Sequence, residues 1–201
     1  MRKPAVLFLT AIILFVTSCA PLIKKENCSI RFEQIKKESE KQKDYRIRGN
    51  LFVHGIYLVF YGKLGKETKL SVRSPFGKKL FSISYQKDTI CVSTGKEDRI
   101  CGRELDVYWD YLNVKIPFDL KDLLTGRPVI TDGARYVCNG DELIIFQNDS
   151  RLIYRGKRLE RIVYRDFSAD YFYEDGKIHK IQIKQDGKEI FRIYIRQLEA
   201  I

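Results

Sequence analysis

The residues of this chain that could do chemistry are its two histidines, its five cysteines and its scattered carboxylates. Neither His54 nor His179 belongs to a recognisable nucleophile–base arrangement. The chain has no Gly-x-Ser-x-Gly, no glycine-rich phosphate loop and no His-Glu-x-x-His. Asp106 and Asp110 are spaced i, i+4, which is more typical of the solvated face of a helix than of an acid/base pair. We therefore predict that the protein is not an enzyme. An envelope hydrolase whose groups converge from distant strands is the open alternative.

Four cysteines lie in the body of the chain: Cys28, Cys91, Cys101 and Cys138. Cys91 and Cys101 flank a predicted hairpin turn, so they could face each other across two strands and form a disulfide. Four cysteines allow three connectivities, which the sequence does not distinguish, and buried free thiols are a further alternative. No histidine lies at ligand spacing from a cysteine, so we predict no metal site.

The amino-terminal segment is typical of an export signal. Arg2 and Lys3 precede the uncharged apolar run 5–16, which is shorter than the roughly 20 apolar residues that a membrane span needs. This layout predicts a signal peptide over residues 1–18, cut before Cys19. An uncleaved anchor helix is the alternative.

The residues around Cys19 resemble the lipobox of bacterial lipoproteins, because the small residue Ser18 stands directly before it. The resemblance implies a diacylglycerol on Cys19 and a lipidated tether over 19–27. Stable membrane attachment needs two or more acyl chains, and a lipidated cysteine of this kind supplies them. Ala20 carries no acidic charge. By resemblance to the sorting rule of enteric bacteria, this predicts a lipid anchor at the periplasmic face of the outer membrane of a Gram-negative bacterium.

The composition allows one domain with a basic surface. The chain has 201 residues and a formal net charge of +11; without residues 1–18, which carry two basic and no acidic side chains, 183 residues keep a charge of +9. That length is enough for one well-cored domain over 28–201. Such a charge could favour nucleic acid, an anionic membrane or an acidic partner, and export disfavours nucleic acid. Alternatively, Lys and Arg simply solvate strand faces. Nothing predicts an oligomer, so we expect a monomer.

The body of the chain predicts antiparallel strands. From Tyr45 onward apolar side chains alternate with polar ones, for instance in 45–53 and 191–196, as in strands with one buried face. Three hairpin dipeptides punctuate the pattern: Asn139-Gly140, Asp175-Gly176 and Asp186-Gly187. About ten or eleven strands fit the sequence, spaced as in all-β barrels and sandwiches.

Three helices are predicted beside the strands. Residues 28–43 are rich in good helix formers and contain no Gly or Pro. Four apolar residues of 104–112 fall on one helical face: Leu105, Tyr108, Trp109 and Leu112. A short helix over 119–125 would begin at Asp119 and end at Gly126. Such helices could cover the open side of a curved sheet.

Three segments, in order, resemble the LolB family of outer-membrane lipoprotein receptors. Residues 45–53 are similar to the family's opening strand with its Arg-Gly, and the Ser-Pro-Phe-Gly of 74–77 is similar to its Pro-Leu-Gly loop. Residues 116–126 are similar to an Ile-Pro-x-x-x-Leu run that closes with glycine. The resemblance covers residues 45 to about 128, and the last seventy residues agree only in strand character.

The resemblance implies both a fold and a function. The family fold is an incomplete antiparallel β-barrel, covered by helices, around an apolar cavity. Members accept the acyl chains of other lipoproteins from a LolA-like periplasmic carrier and insert them into the outer membrane. The transfer needs no cofactor and no covalent step, because apolar surface passes from one apolar site to the next at about 25 cal/mol per Å².

Two sites follow from the resemblance. The loop Pro75-Phe76-Gly77 corresponds to a membrane-contacting loop in which the family has leucine at the position of Phe76; an ordinary turn with Phe76 packed inward is the alternative. The acyl-chain cavity is expected to be lined by strand and helix residues: Leu51, Val53, Leu58, Leu70, Val72, Trp109, Leu112 and Leu124. A lipid-anchored binding or scaffold protein without transfer activity is the alternative function.

Overall fold

The structure is a computed structural model that describes residues 28–41, 43–86, 89–94, 98–103 and 119–201. The described residues form two helices, α1 (Cys28–Ser39) and α2 (Leu120–Thr125), and one sheet of thirteen strands. The strands are β1 (Tyr45–Val53), β2 (Ile56–Leu64), β3 (Glu67–Arg73), β4 (Lys79–Gln86), β5 (Thr89–Ser93), β6 (Arg99–Arg103), β7 (Arg135–Asn139), β8 (Glu142–Gln147), β9 (Ser150–Arg155), β10 (Arg158–Tyr164), β11 (Phe167–Glu174), β12 (Lys177–Gln185) and β13 (Lys188–Ala200). The signal peptide 1–18, Cys19, the tether 19–27 and the helix predicted over 104–112 lie outside the described residues.

The sheet is a single antiparallel meander whose halves meet at its first and last strands. Its order is β6-β5-β4-β3-β2-β1-β13-β12-β11-β10-β9-β8-β7. Strands β6 and β7 each have one neighbour among the described strands, so the sheet stays open. The expectation of an incomplete antiparallel barrel with few short helices is confirmed. The number of strands is thirteen, where the sequence indicated about ten or eleven.

Because all neighbours are antiparallel, the hairpin turns fall alternately on two rims of the sheet. We call the rim with turns 54–55, 74–78, 148–149, 165–166 and 186–187 rim A. The other rim, which carries turns 65–66, 140–141, 156–157 and 175–176, is rim B.

The turn residues explain both the success and the shortfall of the strand prediction. Asp175-Gly176 and Asp186-Gly187 form two-residue turns with positive φ at both positions, as predicted. The turn predicted at Asn139-Gly140 occupies Gly140 and Asp141 instead, since Asn139 still pairs with Glu142. Two further turns contain residues with positive φ but no glycine, so the sequence lacks the dipeptide signal that marks a hairpin. These turns are Asn148-Asp149 and Arg165-Asp166.

One face of the sheet, the core face, carries the buried alternate residues of nearly every strand. Across the β1–β13 junction, Leu51 lies opposite Leu58 on one side and Ile193 on the other. The same face continues through both halves of the sheet with the buried residues Phe60, Leu70, Val72, Ile83, Val92, Leu143, Ile145, Leu152, Ile162, Ala169, Ile181 and Ile183. The alternation in the sequence therefore identified the buried face correctly.

Helix α1 is attached to the edge strand β7 by a disulfide and an aromatic stack. Cys28 is bonded to Cys138, and the Phe32 ring stacks on Tyr136 with ring centroids 4.2 Å apart. The helix ends at Ser39, four residues before the predicted end at 43. In the last turn the Lys36 carbonyl accepts from both the Ser39 hydroxyl and the Glu40 backbone N–H.

Helix α2 forms where the sequence predicted it. Asp119 caps it, with its carboxylate accepting from the Asp122 backbone N–H at 2.9 Å. Gly126 ends it in the left-handed conformation, with φ of 62°. Leu123 and Leu124 are fully buried against the sheet.

The four body cysteines form two disulfides, Cys28–Cys138 and Cys91–Cys101, which is one of the three connectivities that the sequence allowed. Cys91 and Cys101 face each other directly across β5 and β6. Cys28–Cys138 instead joins residues 110 positions apart, whereas Cys91–Cys101 joins residues 10 positions apart.

We predict that losing Cys28–Cys138 destabilises the fold more than losing Cys91–Cys101. Loop-closure entropy assigns about 5 kcal/mol to the longer loop and about 3 kcal/mol to the shorter one. Urea denaturation of the paired variants Cys28→Ser/Cys138→Ser and Cys91→Ser/Cys101→Ser measures the difference. Equal losses would contradict the dependence of disulfide stabilisation on loop length that underlies this prediction.

Candidate functional site

A cavity of about 560 Å³ opens on the core face at rim B, between α1, the end of α2 and the sheet. Its inner wall includes the apolar side chains of Ile35, Leu159 and Ile195 together with Tyr45 and Tyr154. Its mouth is lined by charged residues of the turns and strand ends: Glu38, Arg127, Lys157, Arg158, Glu174, Asp175, Lys177, His179, Arg196 and Glu199. The cavity therefore suits an amphipathic ligand with an apolar and a polar part.

Some of the polar side chains at the mouth contact each other. Lys157 lies 4.0 Å from the Glu38 carboxylate, and His179 lies 3.3 Å from Glu174. The Arg158 guanidinium lies over the Tyr173 ring, 5.5 Å from its centroid. These contacts join α1 and three strands around one opening.

Three tyrosines lie near the end of α2, and two of them, Tyr154 and Tyr173, line the cavity. The Tyr171 hydroxyl donates to the Leu123 carbonyl of α2 at 3.0 Å, and the Tyr173 hydroxyl donates to the Leu159 carbonyl at 2.8 Å. Burial raises the pKa of Tyr173 to about 12 and also raises the pKa values of Tyr154 and Tyr171. The phenols therefore stay neutral donors, and α2 is held to the sheet by an uncharged hydrogen bond.

The strand residues predicted to line an acyl-chain cavity share the core face but not this cavity. Leu58, Leu70 and Val72 are buried on β2 and β3, and Leu51 and Val53 are half-buried on β1. Leu124 is buried in α2. None of these residues lines the cavity at rim B. Their contact with acyl chains stays a prediction; Trp109 and Leu112 lie outside the described residues.

Sequence reasoning missed the lining of the rim-B cavity. Most of its mouth comes from turns and strand ends, where charged residues are the ordinary composition of a solvated loop. The apolar part of its wall looks like any core position. The one available signal was the amphipathic face of residues 28–43, which places Ile35 on the sheet and Glu38 at the opening.

The loop Pro75-Phe76-Gly77 projects from rim A with Phe76 97% exposed. The turn is built by backbone hydrogen bonds from Gly77 N–H to the Ser74 carbonyl and from Ser74 N–H to the Lys78 carbonyl, each 2.9 Å. Gly77 has φ of 86°, a conformation that favours glycine. The turn therefore holds Phe76 away from the core, and the inward-packed alternative is excluded.

Asp122 is the carboxylate most perturbed by the fold. Burial raises its pKa to about 7, and the neighbouring Asp119 adds to the rise. The Val129 N–H donates to its carboxylate at 3.3 Å and opposes the rise. Asp122 is therefore protonated at weakly acidic pH in the first turn of the helix that Tyr171 holds on the core face.

The described residues show neither a helix that could cross a membrane nor a metal-binding cluster. No helix among them is long and apolar enough to span a bilayer. Within the same residues, no three His, Cys, Asp or Glu side chains stand close enough together to hold a metal ion.

Comparison with solved structures identifies the architecture. The chain aligns with a LolA superfamily protein, NE2245 from Nitrosomonas europaea, with a TM-score of 0.50 and 8% identity over 84% of this chain and 93% of that chain. The chain has a LolA/LolB-like fold. Looser matches are an uncharacterized conserved protein from Thermus thermophilus (TM-score 0.42, 5% identity, 86% and 87% covered) and a DUF1329 family protein from Desulfovibrio piger (0.40, 15%, 86% and 90%). No protein-family model and no curated protein matches the sequence.

The LolA/LolB-like fold does not by itself identify the LolB branch, since the likeness rests on backbone geometry at 8% identity. Features that distinguish the LolB branch from other proteins of this fold must be sought among this chain's own residues. They are the exposed Phe76 at rim A and the amphipathic cavity at rim B.

We predict that Asp122→Asn stabilises the protein at pH 8 and changes little at pH 5. Between about pH 4 and about pH 7 the folded chain binds more protons at Asp122 than the unfolded chain, so the free energy of unfolding falls as pH rises through that window. The gain at pH 8 is about 2 kcal/mol once solvent screening of the partly exposed carboxylate is included. Urea denaturation at both pH values measures it.

The control is Asp132→Asn. The hydrogen bond from Lys36 lowers the pKa of Asp132. Relative to the unaltered protein, Asp132→Asn is therefore less stable at neutral pH than at acid pH. The same pH trend in both variants would show that Asp122 is not the group responsible.

Proposed function

We propose that this protein is an outer-membrane lipoprotein that accepts the acyl chains of other lipoproteins from a LolA-like periplasmic carrier and inserts them into the outer membrane. The observation that carries the proposal is Phe76, a fully exposed phenylalanine on a hydrogen-bonded turn of a LolA/LolB-like fold. Water-exposed phenylalanine is unfavourable by roughly 2–3 kcal/mol relative to a buried position. If the Phe76 ring enters a lipid bilayer, the unfavourable exposure of the ring to water is removed, which accounts for a turn that holds it outward.

The amino-terminal sequence supports the same location. Export by residues 1–18 and lipidation of Cys19 would tether the domain at the periplasmic face of the outer membrane. The two disulfides fit an oxidising compartment. Acyl chains, the carrier and the lipid surface are then its partners, and the protein works as a monomer without nucleic acid.

Transfer by this protein needs no catalysis. His54 lies in a turn on rim A and His179 lines the cavity at rim B, so the two histidines stand at opposite rims. Acyl chains would move down a gradient of apolar burial, from the carrier to the core face and from there to the bilayer. For the direction to hold, the carrier must bind the chains less tightly than this protein does.

We predict that Phe76→Glu leaves uptake from the carrier intact but lowers insertion into membranes at least about tenfold. Replacing a membrane-buried phenylalanine with a carboxylate costs more than the 1.4 kcal/mol that corresponds to a tenfold change. The full lipidated chain is placed in vesicles of phosphatidylethanolamine and phosphatidylglycerol. A LolA-like carrier loaded with a labelled lipoprotein is added, and carbonate-resistant label in the vesicles is measured.

The matched control is Ile30→Glu, since Ile30 is an apolar side chain of α1 that is 51% exposed away from rim A. Cross-linking to the labelled lipoprotein measures uptake separately from insertion. Insertion unaffected by Phe76→Glu would remove the membrane role of the loop. If the unaltered protein takes up no lipoprotein at all, a lipid-anchored binding protein without transfer activity is the better account.

A further inference from the structure

We propose that Ile56, on the hairpin next to the Phe76 loop, is a second membrane-contacting side chain, so that rim A meets an anionic bilayer with two adjacent hairpins. The inference rests on the proposed function, because it extends the membrane contact of Phe76. It assigns a lipid-contacting role to the β1–β2 hairpin, where the sequence indicated only a strand pattern and a turn histidine.

The strand register places Ile56 and Phe76 on neighbouring hairpins at the same rim. Val59 of β2 pairs with Arg73 of β3. Three residues before Val59 along β2 is Ile56, and three residues after Arg73 is Phe76. Because the strands are antiparallel, both steps lead towards rim A. The first residue of β2 and the tip of the β3–β4 turn therefore stand on neighbouring hairpins, whose strands are about 5 Å apart.

The β1–β2 hairpin exposes apolar surface at this rim. Ile56 is 57% exposed on the core-face side of the hairpin, and the cross-strand pair Phe52 and Tyr57 is exposed on its opposite side. The turn itself is His54-Gly55, with positive φ at both residues, which keeps the hairpin tight. A single exposed isoleucine needs no explanation, but apolar side chains exposed on both faces of one hairpin, at the rim that carries Phe76, mark an interaction surface.

The charges around the patch favour an anionic surface. Between Tyr45 and Lys87 the only acidic residue is Glu67, and it lies at the start of β3, near rim B. Lys78 and Lys79 are exposed directly after the Phe76 turn. Basic side chains close to an anionic bilayer contribute attraction at the headgroup level while apolar side chains enter the acyl region.

Arg73 links the patch to the turn. Its guanidinium donates to the Gly77 carbonyl at 3.3 Å and lies over the Tyr61 ring, 5.2 Å from the centroid. The adjoining β12–β13 turn contributes Asp186 and Lys188, whose charges offset each other. The net charge of the two hairpins therefore stays positive where the patch meets solvent.

The test places tryptophan at each position in the full lipidated chain: Ile56→Trp, Phe76→Trp and, as the matched control, Ile30→Trp. Each variant is reconstituted in vesicles of phosphatidylethanolamine and phosphatidylglycerol that carry brominated acyl chains, which quench only tryptophan close to them. The unaltered protein supplies the background of Trp109. We expect quenching above that background at positions 56 and 76 and none at position 30.

The outcomes separate this inference from the proposed function. Quenching at 76 without quenching at 56 overturns the inference and leaves the Phe76 wedge in place. Absence of quenching at both positions removes the membrane contact of the proposed function as well, whereas lipoprotein uptake from the carrier is measured independently. Uniform quenching at 30, 56 and 76 would show that the domain lies on the bilayer without using rim A, and would also overturn the inference.

A charge variant tests the electrostatic part. Lys78→Glu/Lys79→Glu should lower the quenching of Phe76→Trp several-fold in phosphatidylglycerol vesicles and have little effect in phosphatidylcholine vesicles. The control pair Lys157→Glu/Lys177→Glu changes the same charge at rim B. Equal effects of the two pairs would show that overall charge, and not the position of the lysines at rim A, attracts the bilayer.

Discussion

The structure depends on the pairing of its first strand with its last. β1 forms nine residue pairs with β13 and pairs along its whole length with β2, so it joins the two halves of the sheet. The register shifts at Arg48-Gly49. A side chain at Gly49 would collide with the Tyr194 carbonyl oxygen and the Phe60 ring. The Arg-Gly of this strand, part of the family resemblance, therefore has a packing reason: only glycine lets β13 lie this close to β1.

The β1–β13 junction separates two halves of the sheet, which differ in whether a described helix covers them. The described helices are attached to the C-terminal half, α1 through Cys28–Cys138 and α2 through the Tyr171 hydroxyl. They complete a core there and leave an amphipathic cavity at rim B. The N-terminal half carries the apolar turns of rim A, which no described helix covers. The described helices therefore cover the C-terminal half of the sheet and leave Ile56 and Phe76 exposed in the N-terminal half.

Local signals in the sequence were enough for the parts of this fold that local physics determines. Alternation identified the core face, Asp119 and Gly126 marked α2, and the spacing of Cys91 and Cys101 placed them across a hairpin. The β1–β13 pairing has no such signal, because it joins residues about 150 positions apart. The same holds for the rim-B cavity, whose wall gathers α1, the end of α2 and strands from both ends of the chain. The exposure of Phe76 could be expected only through the family resemblance, since a Pro-Phe-Gly turn alone is equally compatible with an inward ring.

The opposite positions of Phe76 and α1 restrict how the domain can stand on a membrane. Arg31 of α1 donates to the carbonyls of Asp141 and Gly156, both in rim-B turns, so the start of α1 lies at the rim opposite Phe76. A nine-residue tether reaches at most about 30 Å, and a nine-residue strand such as β2 is also about 30 Å long. A lipid on Cys19 and the side chain of Phe76 can therefore enter the same bilayer only if the tether is almost extended along the sheet or the strands tilt towards the membrane plane. If the domain stands on rim A, as the proposed function requires, the mouth of the rim-B cavity points away from the bilayer and stays open to a carrier.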